Sequence, residues 1–172
     1  GYLLVAIVAA NQVGKAAILF YLASYAVTNL VAFGVVALVG TRQRANDELR
    51  DFSGLWQSHP VLAGLMTVSL LSLAGLPPTV GFIGKWYVFS AAVSAGYYGL
   101  AIIGVLTSVV SVFFYLRLVV MMYMTERTAP SPAQVFTPGL AALAVAVVAT
   151  LCLGILPTRL LDLAAASIAT IF

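Results

Sequence analysis

The sequence predicts an all-α fold, a polytopic transmembrane helix bundle of about four to five spans with one broken helix near residues 60–96. Two observations on composition and one local motif support this prediction. Of the 172 residues, 63% are hydrophobic and only 8% are charged, whereas a soluble domain has ~45–50% and ~25%. Soluble enzymes, nucleic-acid-binding modules and disordered linkers are therefore excluded, and we expect one transmembrane domain over residues 1–172.

The charged residues divide the chain into apolar segments. Residues 1–10 are apolar but too short for a span, which needs ~20 residues. We therefore expect Gly1 to lie inside a helix whose beginning is missing, so that the chain is the C-terminal part of a longer subunit. The remaining assignments are a spanning helix at 16–40, loops at 41–51 and 125–137, an apolar helix that follows the broken one and continues past Arg117 to Met124, a spanning helix at 138–156 and a short surface helix at 158–172 capped by Thr158.

The broken helix is predicted from the motif at its centre. Pro77 and Pro78 remove two backbone donors and push the residues before them out of the helical region. Gly81 follows shortly afterwards, so we expect two half-helices at about 60–76 and 81–96. A backbone that is broken at membrane depth is tolerated only where protein or a water-filled cavity satisfies its polar groups. A broken transmembrane helix therefore indicates an ion or substrate path.

The distribution of basic residues favours a single crossing by residues 60–95. With one crossing, the loops at 41–51 and 125–137 share a side that collects five arginines, while Lys15 and Arg159 lie on the other side. The positive-inside rule then places both loops in the cytoplasm. With two crossings this bias disappears.

Lys85 is the principal candidate for chemistry, as a proton relay. It lies roughly 16 Å inside the second half-helix, counted from Gly96, and no other formal charge occurs between Asp51 and Arg117. A buried lysine relieves its desolvation by losing its proton or by finding water or a carboxylate, so its protonation responds to small changes in its surroundings. The alternatives are an interfacial anchor or an ion pair with another subunit.

Other polar residues are weaker candidates for a proton path. These are His59, Thr67, Ser72 and Thr79. A capping or interface role is the more common one for such a histidine, and serine and threonine in membrane helices more often bond their own backbone or a neighbouring helix. Arg117 and Lys15 have the position of anchors at helix ends. Small residues at Gly104, Ser108 and Ser111 have the spacing of closely packed helices.

The motif Leu-Pro-Pro-Thr-Val-Gly-Phe-Ile-Gly-Lys-Trp at 76–86 resembles the antiporter-like membrane subunits of respiratory complex I. The Gly-Lys pair followed by an aromatic residue is similar to the subunit N branch, since subunit M typically has a glutamate at the position of Lys85. The resemblance covers essentially the whole chain. It implies a 14-helix parent, of which this chain holds the end of helix 10 and helices 11 to 14, with Lys85 as the proton-channel lysine of helix 12.

The resemblance also implies a function. The chain would be a proton-translocating membrane subunit of an NADH:quinone oxidoreductase in a bacterial-type inner membrane, and it would be coupled to quinone reduction in partner subunits. It would hold no redox centre, because NADH, FMN, Fe–S clusters and quinone belong to those partners. Its own partners would be other membrane subunits and the lipid bilayer, with no nucleic acid and with quinone only indirectly. A structural scaffold, or a cation/proton antiporter subunit of the same superfamily, remains the alternative.

Overall fold

The computed structural model describes residues 1–9, 11–40, 48–126 and 137–171, and no strand occurs among them. The chain forms eight α-helices and one 3-10 turn over these residues. In order they are α1 (Tyr2–Ala9), α2 (Gln12–Val39), the 3-10 turn (Leu49–Phe52), α3 (Leu55–Ser58), α4 (Pro60–Ala74), α5 (Val80–Ser94), α6 (Tyr98–Met124), α7 (Thr137–Ile155) and α8 (Thr158–Ile171).

Three of these helices, α2, α6 and α7, are long and apolar enough to cross a membrane. Helices α4 and α5 have 15 residues each, or roughly 22 Å apiece, so neither alone reaches across a ~30 Å hydrocarbon core. Placed end to end they span it. The predicted all-α membrane bundle with one discontinuous helix is confirmed, and the chain is an integral membrane protein.

The packing of α2 shows that α4 and α5 form a single crossing. The N-terminal half of α2 packs on α5, where Ala17 lies in one buried cluster with Val88. The C-terminal half of α2 packs on α4, where Val35 lies in a second cluster with Leu62. A helix that meets α5 with one half and α4 with the other requires the two short helices to lie in series. The prediction of one crossing is therefore confirmed.

Helix α2 begins earlier than the sequence predicted. Asn11 caps it, because the Asn11 side-chain oxygen accepts a hydrogen bond of 2.7 Å from the Gly14 N–H. The same side chain donates to the Ala91 carbonyl at 3.0 Å and so ties the start of α2 to the end of α5. Lys15 therefore lies in the first turn of α2.

The 3-10 turn and α3 were not predicted, and they pack against the end of α6. The Gly54 N–H donates to the Met121 carbonyl at 3.2 Å. The residues that follow the predicted loop at 41–51 thus lie at the same end of the bundle as those that precede the loop at 125–137. Residues 41–47 and 127–136, with Arg42, Arg44 and Arg127, lie outside the described residues, and the cytoplasmic side of both loops stays a prediction.

The last two helices lie close to their predicted positions. Helix α7 begins at Thr137, so Pro138 is its second residue, where a missing N–H costs little. Thr158 is the first residue of α8 and not its cap as predicted. Helix α8 packs on α2. It buries Ala164 and Ile168 while Arg159 and Asp162 stay exposed, as expected for an amphipathic helix.

Candidate functional site

Helix α4 ends at Ala74 in a glycine-capped turn. Gly75 adopts φ 80°, a conformation that glycine tolerates without strain. The Gly75 N–H donates to the carbonyls of Leu71 and Ser72, and the Leu76 N–H also donates to Leu71, each at 3.0 Å. These bonds satisfy carbonyls that the end of a helix otherwise leaves free. The chain then passes through Pro77 and Pro78 and re-enters a helix at Val80, so the predicted break is confirmed.

Two glycines allow other backbone segments to approach the break closely. A Cβ atom placed on Gly81 would overlap the carbonyl of Ser72, at the facing end of α4. A Cβ on Gly154 of α7 would overlap the carbonyl of Pro78. The break is therefore enclosed by α4 on one side and by α7 on another, with no space for a side chain at either contact.

Lys85 is the sixth residue of α5 and is only 5% exposed. Its Nζ donates hydrogen bonds to the main-chain carbonyls of Leu73 at 2.9 Å and Ala74 at 2.8 Å. A third bond of 2.8 Å reaches the hydroxyl of Ser108 on α6. An ammonium group has three N–H donors, so these three acceptors satisfy it completely.

The prolines of the break explain why these two carbonyls are available. In a continuous helix each carbonyl accepts from the N–H four residues later. The Leu73 carbonyl would need the N–H of residue 77 and the Ala74 carbonyl that of residue 78, and both are prolines without an N–H. The freed carbonyls also form the C-terminal, negative end of α4. The break therefore creates an acceptor site for a cation, and Lys85 fills it.

Two further residues shape the space around the lysine. The Nζ of Lys85 lies 4.9 Å from the centroid of the Tyr2 ring in α1, within the range of a cation–π interaction. A Cβ on Gly75 would lie 2.7 Å from the Cδ of Lys85. Glycine at position 75 is thus needed both for its backbone conformation and for the passage of the lysine side chain.

Of the predicted path residues, Ser72 and Thr79 lie at the break. The hydroxyl of Ser72 accepts from the Gly81 N–H and shares a second hydrogen bond with the hydroxyl of Thr28 on α2, each at 3.2 Å. Ser72 thereby caps the first turn of α5 from the neighbouring half-helix. The hydroxyl of Thr79 donates to the Leu76 carbonyl at 2.6 Å inside the connecting segment. Both hydroxyls thus stabilise the break, and their role in a path stays a prediction.

Thr67 lies at the middle of α4, and His59 immediately precedes the helix. The hydroxyl of Thr67 donates to the Ala63 carbonyl at 2.7 Å and lies 3.3 Å from the Tyr123 hydroxyl, within hydrogen-bond distance. His59 precedes α4 and is roughly 22 Å along the helix from Ala74. Its Nδ1 atom is buried and has no hydrogen-bond partner among the described residues. The structure does not bring these two residues to Lys85, and their predicted path role stays a prediction.

The sequence interpretation missed the contact between Ser108 and Lys85. It assigned Ser108 to helix packing, together with Gly104, whose close contact with the Phe89 ring the structure does contain. It also missed the polar face of α2, where Ser24 and Thr28 line a cavity of about 10 Å³ beside Lys85, which is near the space that one water needs. The only available signal was two hydroxyl residues four positions apart in an uncharged span.

Comparison with known proteins identifies the family. Residues 1–111 match the family described as NADH:quinone oxidoreductase/Mrp antiporter, transmembrane. The chain belongs to this family. It is 46% identical over 169 residues to NADH-quinone oxidoreductase subunit N 1 of Solidesulfovibrio magneticus, covering 96% of this chain and 37% of that protein. It is also 46% identical over 165 residues to subunit N of Trichlorobacter lovleyi, covering 95% and 34%.

Two solved structures contain chains of the same fold. A chain of respiratory complex I from Thermus thermophilus, with bound aureothin, matches with a TM-score of 0.81 and 32% identity, over 94% of this chain and 36% of that chain. A chain of the Mrp complex from Dietzia sp. matches with a TM-score of 0.81 and 22% identity, over 95% and 39%, and shares the fold alone. The chain thus spans little more than a third of the length of the relatives it matches.

Proposed function

We propose that this chain is part of a proton-translocating membrane subunit of an NADH:quinone oxidoreductase, and that Lys85 is a proton relay within it. The observation that supports the relay most directly is the hydrogen bonding of the buried Lys85 ammonium to two freed carbonyls and one hydroxyl. Membership of the family and the subunit N relatives support the wider assignment. The proposal treats residues 1–172 as one transmembrane domain of a bacterial inner-membrane protein.

The proposed mechanism depends on how the charge of Lys85 is stabilised. Carbonyl dipoles and a hydroxyl stabilise an ammonium less than a carboxylate does, because they carry no net charge. The balance between the charged and neutral forms therefore responds to water and to nearby charge. Quinone reduction in partner subunits, which would hold NADH, FMN, Fe–S clusters and quinone, would alter that balance. The segment 77–81 is the candidate element that changes state.

A cation/proton antiporter subunit is the second candidate function. The family itself includes Mrp antiporters, and the Dietzia chain shares the fold. Transport that depends on sodium, measured in vesicles containing the whole protein, would favour this candidate. Transport that is independent of sodium but requires NADH oxidation would favour the oxidoreductase subunit.

The decisive experiment is proton pumping by the assembled, full-length complex with substitutions at Lys85. Lys85→Met removes the charge. Lys85→Arg keeps the charge, but its guanidinium does not release a proton near neutral pH. A relay loses coupled pumping in both variants while the complex still assembles. A scaffold that needs only an ion pair retains pumping with arginine.

Lys15→Met is the matched control, because it removes a lysine from the end of α2 and not from the break. We expect this variant to assemble and to pump normally. Normal pumping by Lys85→Met in a complex of normal subunit content would contradict the relay. Loss of assembly in Lys85→Met together with normal function in Lys85→Arg would favour the scaffold.

A further inference from the structure

We infer that Ser108 is the residue through which Lys85 exchanges its proton, so that the proton leaves toward α6 and not toward α4. This inference rests on the proposed relay function of Lys85 and assigns the side on which its proton moves. It starts from the chemical difference between the three partners of the Lys85 Nζ. Leu73 and Ala74 contribute main-chain carbonyls, while Ser108 contributes a hydroxyl.

The three partners respond differently when the ammonium loses a proton. The neutral amine keeps two N–H donors and gains one lone pair. A carbonyl oxygen has no proton to offer to a lone pair, so an amine whose lone pair faced Leu73 or Ala74 would leave two acceptors opposed to each other. A hydroxyl accepts from the ammonium and, after rotation, donates to the amine. Only Ser108 therefore satisfies both forms of Lys85 without movement of the heavy atoms.

This requirement selects which proton leaves. The two N–H groups that face the carbonyls of α4 stay in place, and the N–H that faces Ser108 is the one that breaks. The transferred proton forms a new O–H bond at Ser108 Oγ, while the original hydroxyl proton of Ser108 passes to a water molecule. The serine is unchanged, Lys85 is neutral, and the water carries the proton. When Lys85 takes up its next proton, its third N–H forms again and the Ser108 hydroxyl returns to accepting from it.

The position of Ser108 fits this role. Lys85 is 5% exposed, whereas Ser108 is only partly buried. The residues before and one turn after it on α6, Thr107 and Ser111, line a cleft of about 410 Å³ between α1, α2, α4 and α6. Ser108 bonds to the buried ammonium and is adjacent in the chain to Thr107, so it lies beside the turn of α6 that borders a cleft large enough for several waters.

The other groups near Lys85 are less suited to exchange. Tyr2 presents the face of its ring to the Nζ and not its hydroxyl. The hydroxyl of Ser72 already accepts from the Gly81 N–H and shares a bond with Thr28. Tyr21 and Tyr25 of α2 line the small cavity that Lys85 also lines. The three hydrogen bonds of the Lys85 Nζ go to other residues, so neither tyrosine is in place to exchange its proton. The Lys85 Nζ makes three hydrogen bonds to described residues, and of these the bond to Ser108 is the one that involves a hydroxyl.

The test compares Ser108→Ala with Ser108→Thr in the full-length, assembled complex, measured as protons pumped per NADH oxidised and as the initial pumping rate. A hydrogen bond to a charged group typically contributes about tenfold or more to an equilibrium constant, and the loss of the exchanging hydroxyl should slow proton transfer by at least that factor. We therefore expect Ser108→Ala to slow pumping at least about tenfold with normal subunit content. Ser108→Thr retains the hydroxyl, and we expect it to recover most of the rate.

Ser94→Ala is the control, because it removes an exposed hydroxyl of α5 that donates only to the Ser90 carbonyl in the same helix. Lys85→Met is measured beside these variants, which separates the two proposals. If Lys85→Met abolishes pumping but Ser108→Ala pumps at the normal rate, the role of Ser108 is overturned and the relay stands. If Lys85→Met pumps normally, the relay itself fails. A defect in Ser108→Ala that Ser108→Thr shares fully would show a packing role and would also overturn the inference.

Discussion

The α4 half of the broken crossing and the break itself use their polar groups differently. Around α4, hydroxyls bond mainly within their own helix, as Ser69 does to the Met66 carbonyl at 2.8 Å. At the break, polar groups bond between helices, as Lys85 does to Ser108 and Ser72 does to Thr28. The α4 half is held by a buried apolar cluster that includes Val35, Leu62 and Met122. Packing thus stabilises the α4 half, and hydrogen bonds between helices fix the geometry of the break.

This difference has a physical origin in the bilayer. Lipid tails are as apolar as leucine, so apolar helices associate by close packing and not by leaving water. A continuous helix satisfies its own backbone and needs only that packing. A broken helix exposes donors and acceptors that neighbouring elements must satisfy. The break therefore concentrates the polar contacts between helices that the rest of the crossing does not require.

The largest effect is expected from a side chain introduced at the break. Gly81→Ala places a Cβ atom against the Ser72 carbonyl, which belongs to backbone and cannot move aside. We expect a destabilisation of roughly 3 kcal/mol, at the upper end for overpacking, and strongly reduced recovery of assembled complex. Gly64→Ala in α4 is the control, because nothing lies within 4 Å of its added Cβ. Equal recovery of the two variants would show that the contact at Gly81 relaxes without cost.

A cavity in the apolar half is expected to have the next largest effect. Leu62 is 1% exposed in the cluster around α4. Leu62→Ala should destabilise the subunit by about 2 kcal/mol, at the lower end for buried leucines. The cavity lowers the stability, but lipid is as apolar as leucine, so no free energy of transfer from water is lost. Thermal inactivation of the purified complex measures this change. Pumping per assembled complex should stay normal, and a selective loss of pumping would show that the two halves are coupled.

Loss of the Ser72 hydroxyl should have a smaller effect. Ser72→Ala removes the cap on the Gly81 N–H and the bond to Thr28, and a lost cap costs about 1 kcal/mol. Ser69→Ala is the matched control, because Ser69 is equally buried on the same helix but donates within α4. We expect a lower inactivation temperature for Ser72→Ala alone. Identical inactivation temperatures for Ser72→Ala and Ser69→Ala would show that the interhelical bonds of Ser72 stabilise the subunit no more than the bond of Ser69 within α4.

The smallest effect is expected at Thr67, whose hydroxyl makes the 3.3 Å contact with Tyr123. Thr67→Val keeps the shape of the side chain and loses that bond, and interhelical bonds of this kind contribute about 0.6 kcal/mol in membranes. Inactivation temperatures measured beside those of Ser72→Ala should show the smaller shift for Thr67→Val. Pumping by the same variant tests its predicted place in a proton path, since a path residue would lose pumping out of proportion to stability.

The broken helix and the buried lysine could be predicted from the sequence because their causes are local. Two adjacent prolines forbid a continuous helix wherever they occur in a span. An isolated lysine in a long uncharged stretch is also visible without a structure. The rule that a proline frees the carbonyl four residues earlier even identifies Leu73 and Ala74 as available acceptors, although the sequence alone does not show that Lys85 reaches them.

The contact with Ser108 could not be predicted, because it depends on the rotation of α6 about its axis. Residues three or four positions apart share a face of a helix, but which face meets α5 is decided by packing. The 3-10 turn and α3 were missed for a related reason. The 3-10 turn overlaps the end of the predicted charged loop, and α3 follows that loop. These short segments carry no strong helical periodicity, and their contact with the end of α6, through Gly54 and Met121, is tertiary.

The use of main-chain carbonyls at the lysine site also affects how the site responds to mutation. No amino-acid substitution removes a main-chain carbonyl oxygen. Substitutions at positions 73 and 74 that preserve the side-chain volume therefore leave both acceptors in place. An alanine scan of the side chains would detect Lys85 and Ser108 and overlook two thirds of the hydrogen bonds to the ammonium. Pro77 and Pro78 are the residues that keep those two acceptors available. A residue with an N–H at either position could donate a helical hydrogen bond to one of the two carbonyls.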